Sequence, residues 1–187
     1  MFTFWYTLGI EHILAWDGLD HILYVVALSL HFNTTQWRKL LVAITAFTVG
    51  HCITLYLTAL DIISINTAWV ELCIPITIAI TALINICTTS KVKYLYIYLL
   101  AVFFGFIHGM AYGASAVAAF AQGADAVYYL LAFNIGVELG QIIVVAITLG
   151  IAYIVLHIAK LPLRIWQVSL SSIILVYAIY LTIKNLP

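Results

Sequence analysis

"GLDHILYV", residues 18–25, lies inside the first long apolar stretch of the chain and sets Asp20 beside His21 there. Whether that stretch faces water or lipid decides the fold, and its surroundings answer the question. Of the 187 residues, 66% are apolar and only 7% are charged, whereas a soluble domain carries about a quarter of its residues as charges. Most of the chain must therefore face lipid or other lipid-immersed helices. The sequence predicts an all-α, polytopic membrane helix bundle. With a formal net charge of zero there is no basic field for nucleic acid, and no long polar run leaves room for a soluble domain. Residues 1–187 are expected to form one integral membrane domain whose main partner is the bilayer.

The first 30 residues read as a retained span and not as a signal peptide. No Lys or Arg precedes the apolar run, and Glu11, Asp17 and Asp20 interrupt it. Cys52, Cys73 and Cys87 form no C-x-x-C pair and sit in apolar segments, so they read as small buried hydrophobes and not as a disulfide or zinc framework.

Runs of about 20 residues, long enough for a hydrocarbon core, place six spans near 8–31, 40–60, 68–88, 93–120, 126–156 and 163–184. The connections are short, so successive helices are expected to be antiparallel neighbours. Pro162 suits a helix start, and Pro75 is expected to kink the third span. Arg38 and Lys39, Lys91 and Lys93, and Lys160 and Arg164 fall in the first, third and fifth loops, while Asp61 and Asp125 mark the others. Basic loops stay cytoplasmic, so both termini are expected on the outer, periplasmic side of a bacterial inner membrane. Lys184 is the one exception. Trp and Tyr residues near the span ends fit interfacial anchoring.

Ionisable residues inside spans are costly and usually face a cavity or a pathway. The first span carries His12, Asp17, Asp20 and His21; the second carries His51, the third Glu71, the fourth His108 and the fifth Glu138. No Lys or Arg lies at comparable depth. On a continuous helix, Asp17, Asp20 and His21 share one face, and His12 lies away from His21. Asn134, Glu138 and Gln141 form a stripe at i, i+4, i+7, and His51 lines up with Thr48, Thr54 and Thr58. At 1.5 Å per residue, Asp20, His21, His51, His108 and Glu138 come to a common depth, about 15–20 Å below the outer surface. Asp17 sits a turn higher, and His12 and Glu71 stand nearer the outer mouth. Imidazoles with carboxylates and no compensating base suit a divalent first-row cation. Glu138 is either a ligand or an acceptor for a ligand's N–H; Glu71, Asn134 and Gln141 read as supporting groups or pathway lining. His31 and His157, at span edges, read as ordinary hydrogen-bonded residues. Gly105, Gly109 and Gly113 around His108, and Gly136 and Gly140 around Glu138, have the spacing that lets helices approach closely.

Taken in order, "LGIEHILAWDGLDHILYVVAL", "FTVGHCITL", "VELCIPITI", "FGFIHGMAYG" and "FNIGVELGQ" resemble the sequence blocks of the HupE/UreJ membrane proteins, the hydrogenase and urease accessory group. The resemblance implies nickel handling, with His12, Asp20, His21, His51, His108 and Glu138 at the metal-binding positions. Asp17 has no counterpart in that pattern and stands on spacing alone. "HGMAYG" departs from the more usual HG-x-G-F form. The leading expectation is a permease for a divalent transition metal, nickel first, with zinc, cobalt or copper as alternatives. Its outward funnel would begin at His12 and Glu71. Alternative readings are an intramembrane metal-dependent enzyme and a membrane subunit with a structural metal, and membrane or periplasmic protein partners stay open. No nucleotide-binding motif is present.

Overall fold

A computed structural model describes residues 1–88, 93–120 and 126–186, apart from the side chains of Asp17, residues 113–120 and Ala126. Lys91 and Asp125, which bear on orientation, and the Asp17 side chain therefore lie outside the described residues. Seven α-helices and no strand occur among the described residues: α1 Phe2–Leu14, α2 Leu19–Leu30, α3 Trp37–Ala59, α4 Thr67–Cys87, α5 Tyr94–Phe120, α6 Ala126–Tyr153 and α7 Leu163–Lys184. Helices α3 to α7 each contain a stretch long and apolar enough to cross a membrane. The pair α1 and α2 makes a sixth span if counted as one.

That pair departs from the sequence expectation. The stretch 8–31 is not one continuous helix: α1 and α2 meet at a 70° bend. Ala15 adopts an extended backbone (ψ 158°), and Trp16–Gly18 makes a single 3₁₀ turn. The bend needs glycine at its inner corner, since a Cβ on Gly18 would stand 2.1 Å from the His12 carbonyl oxygen. The other spans follow the expected bounds closely, and α6 runs on through a π turn at Ile154–Ile158.

Two helix pairs are packed backbone against backbone. On the α3–α5 contact, a Cβ at Gly50 would lie 2.2 Å from Val102 O, one at Gly105 2.2 Å from Phe47 O, and one at Gly109 2.2 Å from His51 O. On the α1–α6 contact, Cβ atoms at Gly9 and Gly136 would lie 2.1 Å from Phe133 O and Tyr6 O. Only glycine permits these approaches. Thr54 Oγ1 also crosses from α3 to donate to Phe106 O at 2.8 Å.

Helix α7 is held to α4 by backbone carbonyls that α4 cannot satisfy itself. Pro75 continues inside α4 but has no N–H to give to the carbonyl four residues earlier. That carbonyl belongs to Glu71 and accepts Asn185 Nδ2 from the end of α7 at 2.9 Å. At the opposite end, the last carbonyls of α4 lack helical donors. The Arg164 guanidinium supplies them, donating to Asn85 O at 2.7 Å, to Thr88 O at 3.2 Å and to Ile86 O. The α4 start is capped by Asn66 Oδ1, which accepts from Ala68 N at 3.0 Å.

Candidate metal centre

The two tight pairs and the bend together assemble a histidine cluster. Gly105 and Gly109 bring the α5 backbone against the carbonyls of Phe47 and His51, which sets His108 in the same layer as His51. The bend then turns α1 by 70° out of line with α2. Instead of pointing away from His21, the His12 ring packs edge-on against it, with centroids 4.7 Å apart. The continuous-helix expectation for His12 is corrected on this point, because 100° per residue does not carry across a break. His12 also lies 5.9 Å from His51, and His21 lies 5.8 Å from His51 and 5.0 Å from His108, centroid to centroid.

Two groups of ligand atoms come within 4.8 Å of one another: His12, His21 and His51, and Asp20, His21 and His108. His21 belongs to both. The rings sit deep in the protein: His51 and His108 are fully buried and His21 is 3% exposed. Phe47, Tyr24 and Phe133 wall them in, with Phe47 5.1 Å from His108, Tyr24 5.3 Å from His108 and Phe133 5.6 Å from His12.

Hydrogen bonding fixes which nitrogen of two of these rings carries a lone pair. His21 Nδ1 lies 2.9 Å from Asp20 Oδ1. A carboxylate oxygen accepts, so Nδ1 bears the proton and Nε2 is left as the lone-pair nitrogen. Nε2 is buried and has no hydrogen-bond partner. His108 is held in the same manner by Thr77. The single hydroxyl proton of Thr77 goes to Ile74 O at 2.7 Å, so Thr77 Oγ1 accepts from His108 Nε2 at 3.0 Å. Nδ1 of His108 is then the free lone pair, and it too is buried without a partner. His12 Nε2 and both ring nitrogens of His51 are likewise without a hydrogen bond of ordinary geometry, although the Asn134 amide lies beside His51. Buried polar atoms are nearly always satisfied. Unsatisfied lone pairs converging from four rings form a donor set suited to a borderline-soft divalent cation.

The remaining candidates are placed around this cluster. Asp20 has 24% of its side chain exposed and lines a cavity of about 290 Å³ with Trp16, Glu71, Pro75, Tyr177 and Lys184. The cavity opens where α4 begins and α7 ends. Glu71 lines this cavity, and the described lining includes none of His12, His21, His51 and His108. Asp20 is the residue shared by the cavity lining and the grouped ligand atoms. Glu138 is not among the grouped ligand atoms; its Oε1 accepts Thr45 Oγ1 at 2.6 Å on the α3–α6 seam. Gln141 is fully buried beside it, accepting Thr48 Oγ1 at 2.8 Å, and Asn134 donates to Leu130 O at 2.8 Å. His31 bonds Asn85 Oδ1 at 3.3 Å, and His157 is exposed near Tyr153 O at 3.2 Å.

Two contributors escaped the sequence reading. Thr77 looks like any span threonine bonded to its own helix, and only the fold brings it to His108. Tyr112, whose ring lies 4.2 Å from His12 and stacks on Phe133 at 4.9 Å, sits in "HGMAYG" among residues that read as packing. The family model described as HupE / UreJ protein matches residues 1–184. No curated protein and no solved structure matches the chain.

Proposed function

The chain belongs to the HupE/UreJ family, and on that premise we propose that it binds a divalent transition metal, nickel first, and carries it across a bacterial inner membrane. The observation that carries this reading is the set of buried imidazole nitrogens with no hydrogen-bond partner, oriented by Asp20 and Thr77. A merely structural histidine core would satisfy those atoms within the protein. The basic loops support an orientation with both termini outward, which turns the cavity between α4 and α7 toward the periplasm. The ion then enters past Glu71 and Asp20 and loses water as it meets the rings. Glu138, Gln141 and Asn134 act further along the path as supporting groups, and Asp17 stands beside the entrance by its place in the turn between α1 and α2.

Uptake of radiolabelled Ni²⁺ into proteoliposomes tests the reading, with competition by Co²⁺, Zn²⁺ and Cu²⁺ to rank the ions. Accumulation that depends on His21 and His51 is expected. Stoichiometric metal in the purified chain with no movement across the bilayer would reject transport and leave a static metal site.

A further inference from the structure

The two ligand groups share one residue but not one position, and the sharing limits what the cluster can hold. His12 and His51 lie 4.7 and 5.8 Å from His21 and 5.9 Å from each other, between ring centroids. Asp20 and His108 form a group with the same ring, and His108 is not grouped with His12 or His51. Of the residues in the two groups, the cavity reaches Asp20 and none of the four rings. One group is therefore next to the entrance and the other lies beyond it.

We propose that the cluster is a pair of sequential stations used by one cation at a time, with His21 as the ligand handed from the first to the second. This rests on the metal-binding reading given above. The entrance station is Asp20, His21 and His108; the inner station is His12, His21 and His51. A neutral imidazole has one lone pair, so His21 serves one station at any moment. Holding two ions together would require His21 to lose its second proton and bridge them as an imidazolate. Asp20 works in both states. At the entrance its carboxylate is a hard anionic ligand that draws the cation out of water. When the ion moves inward, Asp20 accepts the His21 Nδ1–H and holds Nε2 toward His12 and His51. The donor sets differ in the direction that makes the second station selective. Carboxylate oxygen tolerates Mg²⁺, Ca²⁺ and Mn²⁺, whereas three imidazoles favour nickel, cobalt, copper and zinc. The inner station is accordingly the resting place for those ions.

Co²⁺, whose visible absorption reports its donors, tests this in the full-length chain in nanodiscs. Metal per chain is measured by elemental analysis, and loading is followed by stopped flow. Wild type should hold one Co²⁺. His108→Ala should keep one ion with the wild-type spectrum but load more slowly, because only the entrance station is damaged. His12→Ala and His51→Ala should each keep one ion with a shifted spectrum, now at the entrance station. His21→Ala should lose it, with His21→Gln as the second variant if the alanine form fails to fold. Two Co²⁺ per wild-type chain overturns the proposal, as does loss of the ion in His51→Ala as complete as in His21→Ala. A wild-type chain that binds neither Co²⁺ nor Ni²⁺ instead rejects the underlying metal reading, so the two failures are told apart.

Discussion

Replacing Thr77 by Val isolates one link between helix packing and metal affinity. Thr77 is 2% exposed, and its hydroxyl proton is committed to Ile74 O at 2.7 Å, the shorter of its two contacts. Toward His108 the oxygen can then only accept, which pins the ring proton to Nε2. Valine keeps the branched shape and removes the acceptor. A buried N–H left without a partner costs about 1–3 kcal/mol, so the metal-free chain should lose that much stability. The ring can recover part of the loss by moving its proton to Nδ1, but that nitrogen is then no longer a ligand. Outer partners of a metal-binding histidine are worth about 10–100-fold in affinity. Thr77→Val should weaken the Asp20–His21–His108 station within that range, read as slower Co²⁺ loading in stopped flow, while the resting ion at His12, His21 and His51 keeps its spectrum. Thr77→Ser, which restores the acceptor, should return most of the loading rate. Nitrogen-15 spectra of labelled histidine supply the decisive readout: His108 should carry its proton on Nε2 in wild type and shift toward Nδ1 in the valine variant. A wild-type His108 already protonated on Nδ1, or an unchanged loading rate in Thr77→Val, would refute the reasoning.

Two glycines of one helix should respond in opposite ways. In α6, Gly136→Ala drives a Cβ to 2.1 Å from Tyr6 O, which forces α1 and α6 apart and should cost about 3 kcal/mol, the upper end for overpacking, in unfolding from mixed micelles. Gly150→Ala meets nothing within 4 Å and should stabilise the helix by about 0.5–1 kcal/mol. Asn185→Leu leaves the Glu71 carbonyl freed by Pro75 without its donor and should lower the melting temperature, with a loss of about 1 kcal/mol at this half-buried site.

The spans were legible because lipid demands about 20 apolar residues and internally satisfied backbones, a constraint written into composition. Five of six expected spans match single helices within a few residues. The first does not, for a reason that hydropathy cannot register. "AWDG" is as compatible with a span as its neighbours by polarity, yet Gly18 lets the chain turn back against the His12 carbonyl. The glycine spacings around His108 and Glu138 were more informative, since backbone approaches at Gly105, Gly109 and Gly136 follow from the missing Cβ alone.

The site divides along the same line. That His21, His51 and His108 should meet follows from counting residues along single helices, and the rings of His51 and His108 lie 5.8 and 5.0 Å from that of His21. His12 was misplaced because the count was carried through the bend. Glu138 lies on the α3–α6 seam, bonded to Thr45, since a depth count says nothing about which way a residue faces around its helix. The tautomers of His21 and His108 lie furthest from the sequence. The Asp20–His21 pair is local and readable, whereas Thr77 reaches His108 only because Gly105 and Gly109 seat α5 against α3 while α4 closes over the other side. The chemistry of the centre is thus set by glycines and a threonine that carry no charge, and the charged residues named first acquire their roles from where those small residues let the helices go.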